Sequence, residues 1–181
     1  YTFSAGTAVT CHPNYDSEKQ INDICIITLA EAVPNAPVSI NNVTAGRTAV
    51  QVDANQAPGV ITTALGFGDT SYQGQTSDYL LKVDMPLVDK AKCIALWNTG
   101  FTGNPASGPG ASLITDTVLC ADSTNGDTCQ GDSGGPLVNA KAGVLVGVTS
   151  MGVNCKSGIP GVYTRISAYA DWIRAVTAGF A

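Results

Sequence analysis

The chain of 181 residues is 44% hydrophobic and only 13% charged, with a net charge of -5; that is enough apolar side chain for one large domain or two small packed units. No basic surface argues for nucleic acid or an anionic membrane as partner. No apolar run, Gly143 to Val148 included, approaches the roughly 20 residues that span a bilayer, so the reading is a soluble globular protein, open to small polar or cationic substrates.

In chain order, Tyr1-Thr2-Phe3 opens without a basic segment or a signal-like apolar core, so either a signal has been removed or the chain starts partway through a longer product. Strand-length runs rich in β-branched residues follow: Cys25 to Leu29, Thr48 to Val52, Val60 to Leu65, Tyr79 to Val83 and Val144 to Thr149. Between them, Pro34-Asn35-Ala36-Pro37 reads as a stiff crossing between two subdomains. Asn42-Val43-Thr44 is a glycosylation sequon, and Gly100 to Ser112 reads as a long surface loop. Ser167 is placed to cap a closing helix whose apolar face is Tyr169, Trp172, Ile173 and Val176, with Asp171 and Arg174 facing away. The fold class is mostly β.

The six cysteines, Cys11, Cys25, Cys93, Cys120, Cys129 and Cys155, are even in number and contain no Cys-x-x-Cys pair. Disulfides are favoured over zinc, and an oxidising, extracellular setting follows. With a single histidine, a metal site would need thiolate or carboxylate ligands throughout; no metal and no cofactor is expected.

Gly131-Asp132-Ser133-Gly134-Gly135-Pro136 sets a serine between glycines, behind a cysteine and ahead of an apolar strand. A serine hydroxyl in such a setting is a candidate nucleophile, and it needs a neighbouring base to attack near neutral pH. The pattern Gly131-x-Ser133-x-Gly135 also fits the nucleophile elbow of α/β-hydrolases. That fold demands a helix after the serine and a histidine later in the chain, whereas Pro136-Leu137-Val138 begins a strand and no histidine follows.

The segment Asp127 to Val138 resembles the nucleophile segment of chymotrypsin-like (trypsin-fold) serine peptidases. The resemblance extends through Asn22-Asp23-Ile24, Ser150-Met151-Gly152, Pro160-Gly161-Val162-Tyr163-Thr164 and the terminal helix. It implies two packed antiparallel β-barrels, the first incomplete in this chain: residues 1–33 end the first barrel, 34–45 cross over, 46–166 form the second and 167–181 the helix. It implies Ser133 as nucleophile, Asp23 as the acid that orients the base, and the N–H groups of Gly131 and Ser133 as an oxyanion hole. The Ser150 hydroxyl would help hold Asp23, and Asp132 would pair with an amino terminus freed by activation. Disulfides Cys93–Cys120 and Cys129–Cys155 are implied, and with them Cys11–Cys25, tying two strands that flank Asp23.

Asp127 falls where this family places the floor of its primary specificity pocket. With Thr128 and Gln130 nearby and Ser150, Met151, Gly152 and Gly161 as walls, a carboxylate there would select Arg or Lys and reject apolar side chains. Taken alone, Asn125-Gly126-Asp127 reads as a solvated turn. Met151 stands where the family usually has tryptophan, which alters the wall for substrate residues preceding the cleaved bond. Phe67 replaces another tryptophan and is expected in the core. A usual family disulfide is missing near Leu65 and Asn139.

The base is the missing part. His12 lies eleven residues before Asp23, outside any Ala-Ala-His-Cys-like segment, and reads as a surface histidine. The first reading is therefore a secreted endopeptidase cleaving after Arg or Lys through a Ser133 acyl-enzyme. Its histidine would come from an upstream segment, either still bound as a separate chain after a cut before Tyr1 or left out of this sequence, and protein inhibitors are possible partners. The rival is an inactive homologue used for binding or inhibition.

Overall fold

The structure, a computed structural model, describes residues 8–42 and 47–178. Two short strands, β1 (Ala8–Cys11) and β2 (Cys25–Thr28), pair antiparallel with Cys11 directly opposite Cys25. Then come β3 (Ser39–Ile40), α1 (Ala49–Asn55), β4 (Ile61–Gly66), β5 (Leu81–Val88), α2 (Lys90–Thr102), α3 (Gly110–Leu113) and β6 (Val118–Ala121). The chain finishes with β7 (Pro136–Asn139), β8 (Val144–Met151), β9 (Gly161–Arg165), a 3₁₀ turn (Ile166–Tyr169) and α4 (Ala170–Thr177).

Six strands close into an antiparallel barrel in the order β8-β7-β4-β5-β6-β9, with β9 returning to β8. β3 adds a short parallel pairing to β8. Side chains alternate in and out along barrel strands, and the interior is filled by Ala64, Met85, Leu87, Leu119, Leu137 and Val146 around Tyr163. A second cluster under α2 gathers Trp97, Ile114, Val118 and Val162 about the buried Cys93–Cys120 disulfide. A third, of Ile24, Ile166 and Tyr169, fastens the β1–β2 ribbon to the end of the chain. The other disulfides are Cys11–Cys25 and Cys129–Cys155. No described helix is long and apolar enough to cross a membrane.

Four local expectations change. Thr48 to Val52 is not a strand: Thr48 caps α1 in a reciprocal capping box with Gln51, and this pairing of end groups outweighs the β-branched content. Val50 faces solvent while Val52 is buried. The stretch from Gly100 to Ser112 is not wholly loop, since α2 runs into it until Gly103 ends the helix in the left-handed conformation, and α3 starts within it. Ser167 caps nothing; it lies inside the 3₁₀ turn, and its hydroxyl donates to Gln56. Phe67 is outside the core, 54% exposed.

Asn42 of the sequon is buried, 3% exposed; Val43 and Thr44, like Tyr1 to Phe3, lie outside the described residues. Where the usual family disulfide is missing, β4 and β7 are joined by their ladder, and the Asn139 amide donates to the Asn55 carbonyl at 3.0 Å.

Candidate active site

Ser133 lies in the tight turn leading into β7. Asp132 N–H donates to Cys129 O at 3.0 Å, Gly135 N–H to Asp132 O at 2.9 Å, and Gly134 N–H to Thr149 O of β8 at 2.9 Å. These bonds fix the serine at the exposed apex. Gly131 takes φ +92°, and a Cβ there would come within 3.2 Å of the Gly68 backbone, so both conformation and space require glycine. Among the described residues nothing accepts a hydrogen bond from the N–H groups of Gly131 or Ser133. Two adjacent free donors next to a hydroxyl are the arrangement that receives a developing oxyanion.

Asp132 turns inward. Its carboxylate accepts from Gly68 N–H at 2.8 Å and Cys129 N–H at 2.9 Å. The backbone of Gly66 and Gly68 wraps this carboxylate so closely that a Cβ on either glycine would collide with it. Phe67 between them is thereby turned to the surface. A cavity of about 310 Å³ opens here, lined by Asp132, Gly66, Gly68, Lys156 and one side of Asp127.

The other side of Asp127 faces a second cavity of about 260 Å³, which also holds Thr128, Gln130, Ser133, Ser150, Met151 and Gly152. Of the residues expected to bind substrate, all but Gly161 line it directly. Gly161 lies beside Asp127, where a Cβ would sit 3.1 Å from Asp127 Oδ1. Burial pushes the Asp127 carboxyl up to about 6; the charge of Asp132 adds to the rise, and N–H groups of Lys156 and Thr128 oppose it. Lys156 N–H donates to Asp127 Oδ2 at 3.1 Å.

Asp23 reaches this cavity through a neighbour: Ser150 Oγ donates to Asp23 Oδ2 at 2.7 Å. The backbone carbonyl of Asp23 accepts from Thr164 Oγ1 at 2.7 Å, anchoring the ribbon to β9. His12 is engaged elsewhere, with its ring 5.5 Å from that of Tyr169 and 5.3 Å from that of Trp172. It docks the ribbon on the C-terminal helix, and no contact joins it to Ser133.

Three participants escaped the sequence reading. Gln20 lines the Ser133 cavity from a left-handed backbone position, φ +51°. Tyr163 shares a 3.0 Å hydrogen bond with Thr128 Oγ1 from within the barrel; it stood inside a quoted motif, and its ring alternation along β9 was the available signal. Lys156 contributes only a backbone N–H, for which side-chain identity carries no signal. Among the described residues no group of His, Cys, Asp and Glu side chains could hold a metal ion.

The Trypsin family model matches residues 2–173. A trypsin of Saccharopolyspora erythraea is 38% identical over 174 residues, 94% of this chain and 66% of that protein. Trypsin-1 of Astacus astacus is 38% identical over 173 residues, covering 92% and 65% respectively. The solved structure of HL collagenase superposes with a TM-score of 0.76 at 22% identity, over 94% of this chain and 67% of that one; it shares the fold. This chain thus spans just under two thirds of the length of these two trypsins. With a closed six-stranded barrel, the serine turn and a family match over nearly its whole length, the chain belongs to the trypsin family of serine proteases.

Proposed function

We propose that this chain is the larger part of a secreted endopeptidase that cleaves peptide bonds after Arg or Lys. The observation that supports the reading is one cavity lined by both the exposed Ser133 and the half-buried Asp127. A guanidinium or ammonium entering there replaces the water lost by Asp127 with a charge-assisted hydrogen bond, while an apolar side chain would leave the carboxylate unpaired. Three disulfides fit an oxidising, extracellular location.

In the proposed reaction Ser133 Oγ adds to the scissile carbonyl carbon while its proton passes to a histidine supplied by an upstream segment. The resulting oxyanion takes hydrogen bonds from Gly131 and Ser133 N–H. The carbon–nitrogen bond then breaks, the leaving amine takes the proton, and water repeats the sequence to free the acid. Asp23, held by Ser150, would orient that histidine and stabilise it when charged. The cavity beside Asp132 would receive the amino terminus exposed by activation.

The test uses the full-length protein with its upstream segment. An organophosphonate bearing an Arg-like side chain is expected to label Ser133, and Arg- and Lys-amide substrates to be hydrolysed well ahead of Phe or Leu ones. A correctly folded protein that resists labelling would be the inactive, binding homologue. Labelling without a cation preference would remove the assigned role of Asp127.

A further inference from the structure

We propose that Asn125-Gly126 is a spontaneous modification site, where loss of ammonia remodels the specificity pocket and makes its hold on a cation decay with age. The modification stands by itself; its effect on cation binding rests on the role proposed above for Asp127. An asparagine is attacked at its side-chain carbonyl by the backbone nitrogen of the next residue, and a side chain on that residue crowds the five-membered ring that forms. Glycine has none, and it lets the backbone turn into the attack at little steric cost. Asn125-Gly126 is the only Asn-Gly pair in the sequence, and Asp127 follows it directly.

The fold leaves this pair free to react. It lies in the connection from β6 to β7, outside helix and strand. Both residues line the cavity of about 310 Å³ beside Asp132, and Asn125 is exposed besides, so water reaches the reacting groups. Among the described residues no hydrogen bond engages the Asn125 side chain or the Gly126 N–H.

The other described asparagines are protected. Asn41, Asn42, Asn98 and Asn139 are buried. The Asn22 and Asn55 amides donate to Asn14 O and Asn41 Oδ1, and Asn104 precedes Pro105, which has no N–H to attack. Asn14, Asn35 and Asn154 precede Tyr15, Ala36 and Cys155, each with a side chain that hinders ring closure.

In the first step the Gly126 nitrogen bonds to Asn125 Cγ, the Cγ–Nδ2 bond breaks, and ammonia leaves with the proton given up by Gly126 N–H. Water then opens the cyclic imide. Attack at Cγ gives an ordinary aspartate. Attack at the Asn125 backbone carbonyl carbon gives isoaspartate, whose main chain runs through Cβ and Cγ and is longer by one carbon. That carbon falls in a stretch with no room for it. Ser123 Oγ donates to the Ile159 carbonyl at 2.7 Å on one side, and Asp127 Oδ2 accepts from Lys156 N–H at 3.1 Å on the other. Between them Gly126 is buried against Val83 of β5, where even a Cβ would collide. The lengthened chain therefore displaces Asp127.

The test ages full-length Ser133→Ala protein, which cannot digest itself, in mildly alkaline buffer. Peptide mass spectrometry locates each amide-to-acid exchange and separates aspartate from isoaspartate, while displacement of a fluorescent amidine by benzamidine follows the pocket. Asn125 is expected to convert several-fold faster than any other described asparagine, mainly to isoaspartate. The purified isoaspartyl form should bind benzamidine about tenfold more weakly, the worth of one charge-assisted hydrogen bond. Asn125→Gln, whose ring would be larger, should hold its starting affinity over the same interval. Asn125→Asp, with the new charge on a main chain of normal length, should keep most of its affinity. Conversion no faster at Asn125 than at Asn35 or Asn154, an isoaspartyl form that binds as tightly as fresh protein, or an Asn125→Asp protein as weak as the isoaspartyl form would overturn the inference alone. Protein that converts at Asn125 but never binds benzamidine, even when fresh, would overturn the specificity reading and the effect on the pocket with it.

Discussion

Lowering the pH from 8 to 5 should loosen the hold of the Ser133 cavity on a cation, and the size of the effect follows from Asp127. Its carboxyl is raised from 3.8 to about 6, first by burial. At pH 5 only about one tenth of the unliganded protein then carries the charge, so affinity for benzamidine, which stays cationic throughout, falls about tenfold, or about 1.4 kcal/mol. A carboxyl at its ordinary value would remain mostly ionised at pH 5 and show almost no loss. The assay is equilibrium displacement of a fluorescent amidine from full-length protein, because turnover would also report titration of the base. A dissociation constant that stays flat from pH 8 to 5 would refute the reasoning.

The same group makes a stability claim of opposite sign. With the folded value above the unfolded one, the folded state binds the extra proton. Its contribution is fully present below about 3.8 and is lost as pH rises through about 6. Asp127→Asn should therefore raise unfolding stability at pH 8 by about 1 kcal/mol, after discounting for partial exposure, while abolishing benzamidine binding.

Other substitutions probe separate parts. Gly161→Ala places a methyl 3.1 Å from both Asp127 Oδ1 and Tyr163 Oη and should weaken benzamidine about tenfold, on the order of 1.4 kcal/mol, as measured by the same displacement. Trp97→Phe removes the 2.9 Å bond from Trp97 Nε1 to the Pro160 carbonyl; urea denaturation should register a loss of about 1–3 kcal/mol for the buried acceptor left unpaired. Leu137→Ala, at a fully buried position of the barrel interior, should cost about 2–5 kcal/mol in the same assay. Gly66→Ala drives a methyl into the Asp132 carboxylate and should sharply slow phosphonate labelling of Ser133, because Asp132 sets the turn on which that serine stands.

The serine turn was legible because its chemistry is local. Glycine at 131 reports a left-handed backbone, and Asp127, Asp132 and Ser133 are separated by fixed short intervals along one segment. α1 was misread because Val50 and Val52 suggest a strand, while the deciding bonds join Thr48 to Gln51 at the helix end. α2 had end signals, Asp89 as cap and Gly103 as terminator, yet Thr99, Gly100 and Thr102 dilute its periodicity. Its helix is held by tertiary contacts, with Trp97 on Pro160 and Cys93 on Cys120. Gln20 could not be found from sequence, since it meets Met151 and Gly152 only after the ribbon docks on the barrel.

Closure of the barrel has a colloidal consequence. Six strands that pair in a ring present no open edge for another chain to extend. The β1–β2 ribbon does present one: among the described residues its strands pair only with each other, and Val9 and Ile27, opposite one another, are 61% and 58% exposed. Strand edges beside bare aliphatic side chains are where intermolecular sheets nucleate. Self-association of this stretch of chain on its own, without the upstream segment proposed above, should therefore begin at the ribbon, leaving the barrel's near-ultraviolet signature intact while light scattering rises, and a charged residue in place of Val9 or Ile27 should suppress it.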